Sequence, residues 1–273
     1  MTAALADFST APKPPARRWP SPLMLGLIAL LIVAHVFAWQ GTDVSIKSLI
    51  EGRKGMADFL DEAIPLDLTW STVLRPGLEA ALVTLYIGLL GTTLSIPFAL
   101  GMGMLASRAT TPNTVLYQAT RSILSFLRSV PDVVFALIFV CAVGLGPFAG
   151  VLALVFHNTG VMGKLWAEAM EETDLGPRDV LRIGGANGVQ TALHAVLPTS
   201  LPQLVGLLLY RFDVNVRSSL VLGLVGAGGI GFLINEAIKT FKFDVMATHI
   251  LIVLVLVIAV DQVSAQVRKR IGA

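Results

Sequence analysis

Residues 179–198 read DVLRIGGANGVQTALHAVLP, a polar stretch rich in glycine that lies between two long apolar segments. Gly184, Gly185 and Gly188 tolerate the positive φ that reverses a chain between two short helices. The stretch therefore predicts a loop of short helical pieces that projects from the apolar part of the chain and fits a groove on a partner protein. Any multi-span protein has polar loops, so an ordinary connecting loop is the alternative.

The composition places most of the chain in a lipid bilayer. Of its 273 residues, 55% are hydrophobic and 14% are charged, whereas a soluble domain carries about 25% charged residues. The net charge of +2 gives no indication of a nucleic-acid partner. Cys141 is the single cysteine and lies in an apolar run, which excludes an intrachain disulfide framework and argues against a thiolate metal site.

The apolar runs predict an all-α membrane protein with about six transmembrane helices of about 20 residues each. We expect a disordered cytoplasmic tail at 1–20, an N-terminal transmembrane helix at 21–40, a periplasmic loop with an interfacial helix at 41–75, and a core at 76–273 that contains a cytoplasmic loop at 167–199. Basic residues in the tail and at 268–270 predict that both termini are cytoplasmic. A cleaved signal peptide is the alternative interpretation of the first apolar run, because Arg17 and Arg18 precede it.

Two polar segments lie within predicted spans. In the first segment, four polar residues recur at helical spacing, which predicts that they share one face of a helix. Pro131 is expected to bend this helix, and the four residues are Arg121, Ser125, Arg128 and Asp132. Its arginines either reach the headgroup zone or line a water-filled path. The second, RFDVNVR at 211–217, carries charges at membrane depth. A charge there costs about 2.5–3.5 kcal/mol on insertion scales and is seldom left facing lipid.

The sequence shows no catalytic constellation. It has no nucleophile with an adjacent base, no H-E-x-x-H motif and no G-x-x-x-x-G-K-[ST] phosphate loop. His157 has no metal-ligand partners at suitable spacing, so we expect a packed, hydrogen-bonded side chain. Gly226, Gly228 and Gly231 match G-x-G-x-x-G, but no strand precedes them, which favours close helix packing over a dinucleotide site. A membrane enzyme with His157 and Asp132 as acid and base would need further converging groups, which the sequence does not show.

The opening loop has the spacing of a known motif. It resembles the EAA loop of ABC-transporter permeases at Asp179, Val180, Leu181, Gly185, Ala195, Leu197 and Pro198. It departs from that motif by Asp for Glu, Val-Leu for two alanines, and Ala195 for the usual isoleucine. Together with this loop, four other segments resemble the phosphonate/phosphite branch of the MetI-like ABC importer permeases: RSVPD at 128–132, LGPFAGVLAL at 145–154, YRFDVNVRSS at 210–219 and VLGLVGAGGIGFL at 221–233.

This resemblance implies the transmembrane subunit of a type I ABC importer, with a MetI-like core of five helices plus an extra N-terminal helix. Two permease copies would pair with two cytoplasmic ATPase subunits in the bacterial inner membrane, and a periplasmic binding protein would deliver the substrate. The chain would hold no cofactor, since ATP and Mg²⁺ bind to the ATPase. Closure of the ATPases would push on the loop and switch the pore by alternating access. The implied coupling residues are Asp179, Val180, Leu181, Gly185, Ala186, Asn187, Gly188, Leu197 and Pro198.

For an oxyanion cargo, we expect Arg217 and Arg211 to line the route, with Asp213 and Asn215 orienting them and Arg128 nearer the inner mouth. Phosphonate, phosphite, hypophosphite and phosphate are equally open as cargo, and so are a homodimer and a pair with a related permease. The alternative function is a self-contained secondary transporter of a small anion that uses Asp213 and Arg217 with an ion gradient. It leaves the EAA-like spacing unexplained.

Overall fold

The computed structural model describes residues 21–42, 44–174 and 176–271, and within these ranges it is helical and contains no strand. The α-helices are α1 (Pro22–Gly41), α2 (Ile46–Glu51), α3 (Arg53–Ala63), α4 (Arg75–Leu105), α5 (Thr114–Ser129), α6 (Asp132–Val143), α7 (Pro147–Glu172), α8 (Gly176–Ile183), α9 (Gly188–Thr191), α10 (Leu197–Leu224), α11 (Ile230–Lys239) and α12 (Phe243–Ile271). Two π-helical turns, Trp70–Leu74 and Ala192–Val196, lead into α4 and α10. The predicted disordered tail at 1–20 lies outside the described residues.

The chain divides into two compact units, one ending at Ala57 and the other beginning at Asp58. The first unit contains α1, a 20-residue apolar helix. It begins where Ser21 Oγ accepts a hydrogen bond from the Met24 N–H at 3.3 Å, with Pro22 in the first turn. Twenty residues at 1.5 Å each match the hydrocarbon thickness of a bilayer. The second unit contains the other spans and all the residues discussed below.

The number of spans agrees with the prediction of about six. In the described part of the chain, five helices are long and apolar enough to cross a membrane, and the number is six if the bent pair α5 and α6 forms one span. In the second unit, α7 packs against α4, α5, α6 and α10. Small residues allow the helices to approach closely: a Cβ on Gly88 of α4 would lie 3.1 Å from the Cα of Val216 in α10.

The segment between α4 and α7 is two helices rather than one. The axes of α5 and α6 differ by 84°. Pro131 has no N–H to continue the helical ladder, and its ring disfavours helical backbone in the preceding residue; Val130 accordingly has an extended ψ of 119°. The prediction that Asp132 shares a helical face with Arg121 and Arg128 is therefore wrong, because Asp132 begins a new helix in a different direction.

Two sequence motifs have structural roles. The Val130 carbonyl at the bend accepts a hydrogen bond from His157 Nδ1 of α7 at 3.0 Å, as expected for a packed intramembrane histidine. No three His, Cys, Asp or Glu side chains come together as a metal site among the described residues.

The glycine-rich segment brings α10 and α11 together: a Cβ on Gly223 would lie 2.8 Å from the Cα of Gly231. Close packing, rather than a dinucleotide fingerprint, explains these glycines.

Gly160→Ala in α7 is expected to destabilise the protein by about 1–3 kcal/mol, the usual penalty of overpacking. A Cβ at this position would lie 2.6 Å from Leu127 Cβ and 2.7 Å from the backbone nitrogen of Arg128, where the end of α5 is fixed by the bend. Thermal unfolding in mild detergent measures the effect. Gly101→Ala in α4 is the matched control, because no atom lies within 4 Å of its Cβ position. Equal melting temperatures for the two variants would contradict tight packing at the bend.

Candidate functional site

A cluster of buried polar groups in the second unit surrounds Arg211, near the middle of α10. Only 8% of this residue is exposed. Its Nε donates to Asn158 Oδ1 of α7 at 3.0 Å, and its Nη2 donates to Asn215 Oδ1, one helical turn further along α10, at 3.2 Å. Two amide oxygens from two helices therefore hold the guanidinium in one orientation.

A second layer of contacts holds the two amides in place. Asn215 Nδ2 donates to Thr92 Oγ1 at 2.8 Å, and Asn158 Nδ2 donates to Ser95 Oγ at 2.7 Å; both hydroxyls belong to α4. Both asparagines are fully buried. Because each amide directs its oxygen to Arg211 and its nitrogen to α4, the network joins α4, α7 and α10 through one continuous set of hydrogen bonds.

The Arg211 guanidinium has no carboxylate partner in the part of the chain that the structure describes, where no Asp or Glu oxygen lies within 4.0 Å of it. Arg128 and Asp132 are the charged side chains outside α10 that act on it at longer range. Buried charges in membrane helices are ordinarily paired. A cation held only by neutral amides keeps its attraction for an anion, so Arg211 can act as an anion-binding group inside the bundle.

Arg217 is in a different electrostatic situation. Its Nη2 lies 2.5 Å from Asp213 Oδ2, one turn back on α10, and 3.7 Å from Asp261 Oδ1 on α12. The Asp213 side chain is 7% exposed, whereas those of Arg217 and Asp261 are 51% and 54% exposed. The expected pairing of Asp213 with Arg217 at i,i+4 is present. Two carboxylates thus compensate Arg217, and the half-exposed pair with Asp261 lies on the surface of the isolated chain.

The structure brings four of the five predicted pathway residues into two separate contacts. Asn215 orients Arg211, and Asp213 holds Arg217. The fifth, Arg128, is exposed in the last turn of α5 and contacts neither pair directly.

Sequence reasoning missed several members of these contacts: Thr92, Ser95, the partnership of Asn158 with Arg211, and Asp261. Each is a polar residue inside an otherwise apolar span, which is a signal visible in the sequence. The residue that each of them contacts cannot be read from the sequence. The hydrogen bond from Arg211 to Asn158 joins residues 53 positions apart, and that from Asn215 to Thr92 joins residues 123 apart.

The stretch at 179–198 contains the short helix α8, a tight turn and the start of a continuous helical run, Gly188–Leu224, which comprises α9, the π-helical turn and α10. α8 ends in that turn, where the Ala186 N–H donates to the Leu181 carbonyl at 3.0 Å and Gly185 adopts φ of +87°. Asn187 then caps α9 through a reciprocal pair of hydrogen bonds with Gln190, at 2.8 and 2.9 Å. The geometry matches the helix, reversal and second helix expected from the glycines.

All nine predicted coupling residues lie within the stretch 179–198. Asp179, Val180 and Leu181 belong to α8; Gly185, Ala186 and Asn187 form the turn; Gly188 opens α9; Leu197 and Pro198 open α10. α8 buries none of its residues, and Val180 and Ile183 are 69% and 89% exposed. An exposed helix with two large apolar side chains is a surface that a partner protein can cover.

The fold is that of a polytopic membrane protein whose helix bundle contains a buried guanidinium and whose polar loop carries an exposed short helix. The chain belongs to the family of binding-protein-dependent transport system inner membrane components, whose family model matches residues 95–273. It is therefore a multi-pass inner membrane protein and a permease subunit rather than an enzyme.

Individual relatives agree with this family and with the resemblance noted from the sequence. The chain is 36% identical over 247 residues to the phosphite transport system permease protein PtxC of Stutzerimonas stutzeri, covering 90% of this chain and 88% of that one. It is 43% identical over 192 residues to the phosphate-import permease protein PhnE of Mycolicibacterium smegmatis, covering 70% of this chain but only 36% of that relative. The inward-facing MetNI methionine ABC transporter shares the fold, with a TM-score of 0.62 at 22% identity over 76% of this chain and 99% of that one. The predicted MetI-like fold is confirmed.

Proposed function

We propose that the chain is the permease subunit of an ATP-driven importer for phosphonate, phosphite or a related phosphorus oxyanion. The observation that carries the proposal is the uncompensated guanidinium of Arg211, held inside the helix bundle by neutral amides. Arginine binds tetrahedral oxyanions well, because its planar donors match two oxygens at once. The names of the relatives, which refer to phosphite and phosphate transport, support the same class of cargo.

Within this proposal, the polar residues of α10 line the route. Arg211 attracts the oxyanion directly, and Asn215 keeps its guanidinium oriented. Arg217 lies about 1.7 turns further along the helix, where Asp213 holds it and an anion competes for its remaining donors. Arg128 acts nearer the inner mouth, at the end of α5. Affinity at these positions stays modest, since a translocation route must release what it binds.

The energy comes from a separate cytoplasmic ATPase, which holds ATP and Mg²⁺. The loop at 167–199 is the EAA-type coupling element, and α8 with its exposed apolar residues fits a groove on the ATPase. A second permease copy completes the pore, a periplasmic binding protein delivers the oxyanion, and the pore works by alternating access. Both termini lie in the cytoplasm in this arrangement, the tail at 1–20 included, and residues 41–75 lie on the periplasmic side.

Reconstitution in vesicles tests this function. Uptake of radiolabelled phosphite and methylphosphonate is expected only when the permease, the ATPase, the liganded binding protein and ATP with Mg²⁺ are all present. Omission of the ATPase or the binding protein should reduce uptake to the background of empty vesicles. Uptake by the permease alone, driven by an ion gradient and insensitive to ATP, would instead support the secondary transporter of a small anion.

A further inference from the structure

The turn that joins α4 to α5, residues 106–113, is buried and internally bonded. Ser107 and Ala109 are 0% and 4% exposed. The Thr111 hydroxyl donates to the Met104 carbonyl, in the last turn of α4, at 3.0 Å. A connection with so much of its surface covered, and bonded to the preceding helix, moves with that helix rather than independently of it.

Two arginines and a tyrosine hold this α4–α5 turn against the start of α5. The Arg108 guanidinium lies over the Tyr117 ring, 4.1 Å from the centroid, and its Nη1 donates to Thr114 Oγ1 at 3.3 Å. Arg121 approaches the same tyrosine from the next turn of α5, where its Nη1 donates to the Tyr117 hydroxyl. Both cations therefore meet at one aromatic side chain.

Two carboxylates of α7 compensate Arg121, and one of them also reaches the α4–α5 turn. Arg121 Nη2 lies 3.6 Å from Glu171 Oε2 and 3.7 Å from Glu168 Oε1. The other oxygen of Glu171 accepts a hydrogen bond from the Arg108 backbone N–H at 2.7 Å. The side chains of Arg121 and Glu171 are 27% and 26% exposed, so solvent screens this pair less than it screens a surface ion pair. Glu171 therefore joins α5, α7 and the α4–α5 turn.

The same turn supports the stretch at 179–198. Ala109 packs in one buried apolar cluster with Met170 of α7 and with Val196, which ends the π-helical turn before α10. The α4–α5 turn and residues 187–193 also line a common apolar cavity of about 380 Å³. Packed side chains and ion pairs carry mechanical coupling between parts of a protein. A force on this stretch therefore reaches the α4–α5 turn, and Glu171, next to Met170 in α7, holds that turn in place.

We propose that Arg121 and Glu171 are positioning residues for transport, because they keep the α4–α5 turn fixed while the stretch at 179–198 moves. Movement is then passed to α4 and α7 instead of being absorbed by the turn. Of these helices, α7 contributes Asn158, which orients Arg211. The inference rests on the proposed function, since it needs an ATPase that moves this stretch.

The experiment measures ATP hydrolysis and phosphite uptake in the same vesicles, which contain the permease, the ATPase and liganded binding protein. Glu171→Gln keeps an oxygen that accepts from the Arg108 N–H but removes the charge that Arg121 faces. We expect about five- to tenfold less phosphite taken up per ATP hydrolysed, with the same amount of ATPase retained in pull-downs. A purely structural role would instead lower hydrolysis and uptake in parallel and leave their ratio unchanged.

Substitutions of Arg121 test whether the ion pair itself is responsible. Arg121→Gln should lower the ratio as much as Glu171→Gln does, and the double variant should be no worse than either single variant, because both remove one interaction. Arg121→Lys keeps the cation and should retain at least about half of the wild-type ratio. Glu62→Gln is the control, because it makes the same charge change on an exposed residue of α3 that forms no ion pair within the described ranges.

A wild-type ratio in Glu171→Gln and Arg121→Gln would overturn the inference, and so would a parallel loss of hydrolysis and uptake in both. An equal fall in Glu62→Gln would reduce the effect to surface charge, and an equal fall in Arg121→Lys would exclude the ion pair as its cause. If the wild-type complex shows no ATP-dependent uptake at all, the proposed function itself is wrong.

Discussion

Replacing Asn215 by aspartate is expected to abolish oxyanion uptake while leaving the transporter assembled. Asn215 Oδ1 lies 3.2 Å from Arg211 Nη2, so the variant places a carboxylate against a guanidinium that now has only amide partners. At this distance the two opposite charges attract each other by several kcal/mol at an effective dielectric constant of about 20. An arriving anion would have to displace that carboxylate, and we expect uptake to fall at least ~100-fold, equivalent to ~3 kcal/mol.

The same substitution should leave the fold intact. A charge-assisted hydrogen bond is stronger than a neutral one, and the hydroxyl of Thr92 can turn its proton from the Gly88 carbonyl to the new carboxylate instead of accepting from the amide. The melting temperature and the co-purification of the ATPase should therefore match those of the wild type. Asn113→Asp is the control, because it makes the same change at the exposed N-cap of α5 and keeps the capping oxygen.

Two substitutions of Arg211 separate the charge of this side chain from its packing. Arg211→Lys retains the cation and should keep measurable uptake, whereas Arg211→Met should lose it. Uptake of Asn215→Asp at the wild-type rate would contradict an anion-binding role for Arg211. Loss of assembly together with loss of uptake in Asn215→Asp would show that the network is purely structural.

Gly185→Val is expected to uncouple the permease from its ATPase. Gly185 has φ of +87°, and no atom lies within 4 Å of the position that a Cβ would occupy. The penalty is therefore backbone strain of about 1–3 kcal/mol rather than a steric clash. The strain acts on the turn that sets the direction of α8 relative to α9. We expect ATPase retained in pull-downs to fall at least about tenfold, and ATP-dependent uptake to fall with it.

Three further substitutions control for this effect. Gly184→Val adds the same side chain one residue earlier, where φ is not positive and the atom nearest to the new Cβ, the Leu181 carbonyl oxygen, lies 3.4 Å away; Gly184→Ala adds the Cβ alone. Both should leave ATPase binding nearly unchanged. Gly185→Asn should restore most of the binding, because asparagine tolerates positive φ better than other side chains. Equal ATPase retention in Gly185→Val and Gly184→Val would remove the coupling role from this turn.

Much of the architecture is predictable from local patterns. The helical spans and the loop at 179–198 follow from apolar runs of bilayer length and from glycines that permit a reversal. The pairing of Asp213 with Arg217 follows from their i,i+4 spacing on one helix. These features depend on interactions within a few residues, which sequence spacing records directly.

The direction of the chain after Arg128 is less predictable. Pro131 indicates a bend, but a proline within a membrane helix is compatible with a small kink as well as with a change of 84°. At the bend, the Val130 carbonyl accepts a hydrogen bond from His157, which another helix contributes. That tertiary contact cannot be read from the position of the proline.

The sequence by itself determined that this is an all-α membrane protein, where its charges enter the spans and which loop projects from them. The i,i+4 spacing in the sequence already pairs Arg217 with Asp213. Only the tertiary structure decided what the other helices bring to these two cations: Arg211 meets the neutral amide of Asn158 on α7, whereas Arg217 meets a second carboxylate, Asp261 on α12. The physical reason is that the electrostatics of a buried cation depend on the groups within a few ångströms, and helix packing brings those groups from distant parts of the chain.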